Sequence, residues 1–454
     1  ELNRSNAVIS LGGGAFLDDV IRKSSKKLTV SFWLDVPIND LIKRLTISKQ
    51  RPLLFKQITN ETVKKIYFSR KKIYSMADYR IKCKSLKPGE IVNKIFDDGG
   101  ILFAHGFDAL RKNYHVREFE ESFNDILRFN HSLAVSSGTA AIKIALKALD
   151  VKAGDEVITQ AFNFIATVEA ILDLGAIPII TNIDNSLNMD VEDCESLITK
   201  KTKVILPVHM LGMTADMEGI MNLAAKHDLK VLEDCCEATG AKYQGKYVGN
   251  VADAGAFSFD FGKVITTGEG GMVTTDKFNL DKFSREYHDH GHENNPDYPR
   301  GRDTKTIFGF NYRMTEMQAA VGKVQLSKLH MILEKNKERY MAIEENLDKS
   351  FTRRQIHQHS EPIFDTFIFQ VKEKERRDEI INLLNKEKFG TKNLPDAIEW
   401  HCAYYWDHAL SEEQIQRTKK SKEYLHTMIA IPIWLKRTPE DYLELAHKIN
   451  KFIS

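Results

Sequence analysis

A chain of 454 residues exceeds what one hydrophobic core usually supports, so two or three domains are expected. With 42% hydrophobic and 28% charged residues it has the composition of a soluble globular protein, and 65 basic against 63 acidic side chains leave a net charge of only +2, which argues against a nucleic-acid partner. Five cysteines (Cys83, Cys194, Cys235, Cys236, Cys402) are odd in number and lack metal-ligand spacing, so neither a disulfide framework nor a metal site is expected, and a reducing cytoplasm fits. No apolar run approaches the ~20 residues of a membrane helix, so no membrane association is expected.

The chain opens on Glu1 rather than Met, with a strand already under way at Val8, so further residues are expected ahead of it. Gly12-Gly13-Gly14 follows the apolar run Ala7 to Leu11 and precedes a helical pattern, which reads as a strand-to-helix turn. A strand from Leu28 to Val36 comes next, then a charged segment holding Arg51-Pro52-Leu53-Leu54, a helix over Asn60 to Ser75 that carries Arg70, and a short strand near Ala77 to Cys83. Asp97-Asp98-Gly99-Gly100 reads as a linker. In order and spacing, residues 5 to 95 resemble the C-terminal half of shikimate kinase. The resemblance makes the glycine triplet a shikimate-binding turn, Arg51 a lid arginine and Arg70 a carboxylate-binding arginine. The phosphate loop G-x-x-x-x-G-K-[ST] is missing from the whole chain, however, and without its amides and lysine nothing cradles the nucleotide. Residues 1–95 are therefore expected to be a partial P-loop-kinase-like α/β fragment without kinase activity.

From Val116 onward apolar strands alternate with amphipathic helices. Strands are expected at Leu133 to Ser136, Glu156 to Gln160, Ile177 to Ile183, Lys203 to Val208, Lys230 to Glu233, Ala254 to Phe259 and Gly271 to Thr275. Helices are expected at Gly138 to Leu149, Ile165 to Leu174, Val191 to Ile198 and Asp216 to His227. This alternation implies a mostly parallel sheet covered on both faces, an α/β three-layer domain over residues 96–330. A long charged helix after Leu329 introduces a smaller α/β domain over 331–454.

Four features in this stretch occur in an order one cofactor explains. Ser136-Ser137-Gly138-Thr139 ends a strand and begins a helix, where free amides, a hydroxyl and the helix dipole suit a phosphate, although the same residues make an ordinary N-cap. Phe164, just after the next strand, offers a ring for stacking, or a core residue. Glu233-Asp234 ends an apolar strand at the sheet edge where ligands bind, and a carboxylate there can keep a pyridine nitrogen protonated. Lys263, among Phe261, Gly262 and the glycines of Thr267-Gly268-Glu269-Gly270-Gly271, is a candidate for a desolvated amine of depressed pKa that forms an imine.

With Gly154-Asp155-Glu156-Val157 and Gly309-Phe310-Asn311-Tyr312-Arg313-Met314-Thr315-Glu316-Met317-Gln318, these landmarks closely resemble the sugar aminotransferases of the DegT/DnrJ/EryC1/StrS family, over residues 102 to 454. The resemblance implies the type I fold of pyridoxal 5'-phosphate enzymes. It assigns Lys263 to the covalent link with the cofactor and to proton transfer, Asp234 to the pyridine nitrogen, Phe164 to stacking, and Gly138, Thr139 and Ser258 to the phosphate. Asn311, with Arg313, would reach the phosphate from the other subunit of a homodimer. Where the family usually has Gln beside the cofactor this chain has Glu237. Members with His at the lysine position are dehydratases, so Lys263 implies transamination. The run His288-Asp289-His290-Gly291-His292, with Arg302 and Tyr404-Tyr405-Trp406, is most similar to enzymes that make 8-amino-3,8-dideoxy-manno-octulosonate from glutamate and the 8-oxo derivative of Kdo. That reading makes His290, His292, Arg302 and Arg313 substrate residues and places the product in lipopolysaccharide or surface-polysaccharide synthesis. The histidines read equally well as a solvated helix end, and nucleotide-linked 4-keto-hexoses remain the alternative acceptors. Two readings of other kinds are a catalytically inactive regulator on the same fold, which an intact Lys263 and Asp234 disfavour, and a bifunctional protein with shikimate kinase activity, which the missing phosphate loop disfavours.

Overall fold

The computed structural model describes residues 15–28, 31–47, 59–77, 79–84, 114–295, 297–298 and 302–453. The chain divides into two compact units, Glu1–Lys112 and Asn113–Ser454. The domain boundary expected near residue 95, the linker at 97–100, the glycine triplet and Arg51 all lie outside the described residues.

In the first unit, β1 (Phe32–Asp35) and β2 (Tyr79–Lys82) pair in parallel, which requires a crossover, and helices Ile38–Ile47 and Asn60–Tyr74 lie in the intervening chain. Thr59 caps the second of these helices by accepting from the Thr62 N–H at 3.2 Å. Buried Asp35 accepts from the Tyr67 hydroxyl and from Arg80 Nε, both at 2.9 Å, and the Arg80 guanidinium stacks over Trp33. Arg70 lies on the Asn60–Tyr74 helix. The helix Asp19–Leu28 takes in Leu28, the first residue of the strand the sequence suggested, and β1 covers Phe32–Asp35 of it.

The second unit is built on a seven-stranded sheet. Its strands are β3 (His131–Val135), β4 (Glu156–Gln160), β5 (Ile177–Thr181), β6 (Thr202–Leu206), β7 (Lys230–Asp234), β8 (Ala254–Ser258) and β9 (Gly271–Thr275), in the spatial order β3-β9-β8-β7-β6-β4-β5. All pairings are parallel except those of β9, which runs antiparallel to both neighbours. Alternate residues feed different cores: Leu133, Val135, Val204, Leu206 and Leu232 pack with helices Gly138–Ala148 and Ala166–Asp173, whereas Ala134 joins a cluster with helix Tyr114–Leu127, and Ile205 and Val231 join one with helix Met217–His227. The period of two is the pleat of a sheet covered on both faces. Each expected strand and helix of this sheet is found within a few residues of its predicted ends.

Helix Leu329–Glu344 leads into a smaller three-stranded sheet, β10 (Thr352–Arg353), β11 (Thr366–Gln370) and β12 (Met428–Pro432), with helices Lys374–Lys386 and Pro439–Ile449 against it. Tyr340, Phe367, Phe369, Ile429 and Tyr442 form its own core. No helix of the described residues is long and apolar enough to cross a membrane.

Candidate active site

The candidate site residues follow the carboxyl ends of β3, β4, β6, β7 and β8, the edge of a parallel sheet at which ligands bind. Ser137 caps helix Gly138–Ala148, accepting from the Ala140 N–H at 3.1 Å. Gly138 lies against β8: a Cβ there would stand 2.8 Å from Ser258 Cβ, 3.2 Å from Ser258 Oγ and 3.1 Å from Cys236 Sγ. From the other side Gly271 of β9 backs the same turn, since a Cβ there would stand 2.3 Å from the Ser137 carbonyl oxygen. Gly271 is thus explained by close backbone approach, while a Cβ on Gly270 would meet the side chains of Met314 and Thr267. Thr139 is exposed at the helix start. Glycine, hydroxyl and the helix-start amides together are groups that could hold a phosphate.

Asp234, 3% exposed at the end of β7, accepts from Thr167 Oγ1 at 2.8 Å through one oxygen and from the Cys236 N–H at 3.1 Å through the other. Phe164 is 45% exposed, so it is no core residue; its only ring partner among the described residues is His401, 5.3 Å away between centroids. Lys263 Nζ lies 3.2 Å from Glu237 Oε1, and Glu237 Oε2 accepts from the Leu211 N–H at 3.1 Å. The expectation of a depressed lysine pKa is overturned. Burial, the largest single influence, lowers it, but Glu237, Cys236 and Asp234 together outweigh burial and hold the ammonium above its ordinary value. Burial likewise pushes Glu237 up, yet the charges of Lys263, Lys392 and His401 and the Leu211 N–H bring its carboxyl well below the usual range.

Asn311 is exposed on a segment that runs beside β3, where Ser136 N–H donates to Tyr312 O at 2.8 Å. Asp289 bridges Asn311 through the backbone and pairs with the Arg313 guanidinium, so Arg313 is committed to an internal partner. His290 N–H donates to Phe310 O at 3.0 Å and its side chain is exposed; His292 Nδ1 lies 3.6 Å from Asp303 Oδ2, and Arg302 is exposed. The described contacts therefore join His290, His292, Asn311 and Arg313 into one loop cluster but connect none of them, nor Arg302, to Lys263. His288 is more buried than a solvated helix end would be, and burial pushes its imidazole down to about 4.

Several residues at this edge have no local signature in the sequence: Thr167, the Leu211 N–H, and Lys392 and His401 from the C-terminal part, whose charges act on Glu237. Only the return of distant chain to the sheet edge brings them in. One buried trio, His209, Glu233 and Cys235, has ligand-like proximity. Its polar atoms are used internally: His209 Nε2 meets Glu233 Oε2 at 3.0 Å, His209 Nδ1 accepts from the Ala215 N–H, and Glu233 Oε1 accepts from Val251 and Ala252 N–H. The trio braces the β6–β7 edge.

A helix start suited to a phosphate, a braced carboxylate, an exposed aromatic side chain and a partly buried amine, all at the carboxyl edge of this sheet, fit pyridoxal phosphate. Fold and site define a pyridoxal-phosphate-dependent aminotransferase of fold type I. Residues 107–450 match the model of the DegT/DnrJ/EryC1/StrS aminotransferase family, and the chain belongs to that family. The shikimate kinase model matches residues 1–98. Among curated relatives, the GDP-perosamine synthase of Escherichia coli O157:H7 is 34% identical over 81% of this chain and 96% of its own length, and that of Vibrio cholerae 30% over 77% and 93%. Among solved structures, an aminotransferase from Psychrobacter cryohalolentis superposes with a TM-score of 0.66 at 29% identity, covering 74% of this chain and 90% of its own. Helicobacter pylori PseC, an aminotransferase involved in pseudoaminic acid biosynthesis, does so at 0.66 and 26%, covering 75% and 91%.

Proposed function

We propose that this enzyme transfers an amino group from glutamate to a nucleotide-linked keto-hexose, with Lys263 as the catalytic amine. The observation that carries the acceptor class is the match to two GDP-perosamine synthases along nearly their full length. The 8-oxo derivative of Kdo is the second reading; it rests on the His288–His292 run with Arg302, and none of the relatives named above is an octulosonate enzyme by name.

Bound pyridoxal phosphate supplies an electron sink and a carrier for the amino group. Asp234, fixed by Thr167 and the Cys236 amide, presents a carboxylate to the ring nitrogen. The free face of Phe164 stacks on the ring, while Gly138, Thr139 and Ser258 hold the phosphate at the helix start. Lys263 carries the proton to and from the reacting carbon as general base and acid, and Glu237 stands beside it.

A homodimer belongs to the same proposal. Helix Glu316–Leu326 buries Ala319 and Leu326 but leaves Met317, Val321 and Val324 exposed at i, i+4 and i+7, one apolar stripe a few residues beyond exposed Asn311. A second copy covering that stripe brings Asn311 to its neighbour's phosphate. For residues 1–98 no kinase activity is proposed, because the chain contains no phosphate loop.

The test is a panel of acceptors with glutamate, read by mass: a nucleotide-linked 4-keto-hexose, a nucleotide-linked 3-keto-hexosamine and 8-oxo-Kdo. Amination of a nucleotide-linked sugar supports the first reading, amination of 8-oxo-Kdo alone replaces it with the second, and amination of none refutes both.

A further inference from the structure

The pair Lys263–Glu237 is built into the fold rather than laid on its surface. One carboxylate oxygen faces Lys263 Nζ at 3.2 Å, the other takes the Leu211 N–H at 3.1 Å, and the two side chains are 20% and 10% exposed. Leu211 donates from a left-handed conformation, φ 49° and ψ 47°, that a β-branched or bulky residue adopts only when its surroundings impose it. Arg354 imposes it. This arginine, 4% exposed, enters from the chain beside β10 and donates to Met210 O at 2.7 Å and Leu211 O at 3.4 Å, and also to Ser186 O. Gly212, the next residue, is pressed against Ile363. The turn that aims an amide at Glu237 is thus clamped from the C-terminal part.

We propose that Glu237 is a positioning residue: a fixed negative charge, oriented by the Leu211 turn and Arg354, that makes the Lys263 amine hold its proton more tightly than a neutral side chain in its place would. The inference rests on the reading of Lys263 as the cofactor lysine. The charged and titratable groups around the carboxylate are Lys263, Lys392, His401, Cys236, Asp234 and Arg354; Lys392 is itself paired with Asp365 Oδ2 at 2.6 Å, so its charge is shared. Of these, Glu237 is the anion in direct contact with the amine. An opposite charge at that distance favours the charged form by one pKa unit or more, a factor of about ten in the equilibrium between ammonium and free amine. Glutamine at 237 keeps an oxygen for the Leu211 N–H and removes the charge.

The experiment is a titration of Lys263 in the full chain stripped of cofactor, by competitive amine labelling across pH with the Lys263 peptide read by mass spectrometry. In the wild-type chain the labelling midpoint should lie above that of an unstructured lysine peptide, although burial alone would place it below. Glu237→Gln should lower the midpoint by about one pH unit, giving roughly tenfold more free amine at a fixed pH below it, and Glu237→Asp, which keeps the charge, should restore most of the difference. In the cofactor-loaded protein, the pH at which the absorption of the lysine-linked cofactor changes should fall in the same order. Equal midpoints in wild type and Glu237→Gln overturn the proposal; if the glutamine variant does not fold, a wild-type midpoint below the reference peptide overturns it. A chain that folds but never takes up cofactor at Lys263 sinks the lysine assignment instead, and normal uptake with unshifted midpoints sinks only the role of Glu237.

Discussion

Substituting Gly138 by alanine should cost cofactor affinity while sparing the fold. Two effects oppose each other. Alanine is the better helix former by about 0.8–1 kcal/mol in a helix interior, and less at the first position of a helix, where Gly138 sits after the Ser137 cap. Against that, the new methyl would meet Ser258 Cβ at 2.8 Å, Cys236 Sγ at 3.1 Å and Ser258 Oγ at 3.2 Å. Ser258 Cβ is fixed to the backbone of β8, a central strand, so it cannot swing aside; the helix start or the strand end must move instead. Overpacking of this kind costs about 1–3 kcal/mol. The steric effect wins, and the movement falls on the two groups proposed to share a phosphate. If that cost falls on the cofactor-bound state, pyridoxal-phosphate affinity should drop by about fivefold to about 150-fold, since each 1.4 kcal/mol is a factor of ten. Equilibrium titration of cofactor-free protein, followed by absorbance, measures it, with circular dichroism to confirm an intact fold. An alanine variant that binds the cofactor as tightly as wild type would show that the phosphate does not sit between Gly138 and Ser258.

Three other outcomes are expected. Lys263→Ala should abolish transamination and the cofactor adduct that borohydride traps on the chain; a trapped adduct mapped to another lysine by peptide mass would refute the assignment. Mixing Lys263→Ala subunits with Asn311→Ala subunits, each inactive alone, should restore part of the activity by pairing an intact lysine with an intact neighbour's asparagine, and Val321→Glu, on the exposed stripe, should shift sedimentation toward monomer. If subunits exchange and no activity returns, the phosphate is held within one chain. His288, held near 4 by burial against an ordinary 6.5, favours the folded state only while neutral. The unfolded chain binds its proton more readily, so this contribution is present above pH 6.5 and is lost as pH falls toward 4. His288→Gln should therefore lose less melting temperature than wild type between pH 7 and pH 5; parallel curves would contradict the burial argument.

Much of the local structure around the candidate site was legible in the linear chain because its determinants are local. Ser137-Gly138 caps its own helix, Asp234 closes its own strand, and the alternation of Leu133, Ala134 and Val135 between two cores is already a pattern in adjacent residues. A motif within one strand–helix turn needs no knowledge of the rest of the fold. Phe164 was ambiguous for the opposite reason: an aromatic beside a strand is core or stacking surface according to what covers it, and its 45% exposure is a property of the assembled domain.

Contacts between distant segments were beyond the sequence. Nothing near Arg354 announces that it clamps a turn more than 140 residues earlier in the chain, and nothing near Lys392 or His401 announces that their charges reach Glu237. The sign of the Lys263 shift is the clearest case. Apolar and glycine neighbours in sequence argue for a desolvated amine and a depressed pKa; the carboxylate that reverses the outcome lies 26 residues away in the chain and 3.2 Å away in space. Desolvation follows from composition around a residue, whereas ion pairing depends on which strand ends the sheet sets side by side, and here Glu237 at 3.2 Å, Cys236 and Asp234 together outweigh the burial.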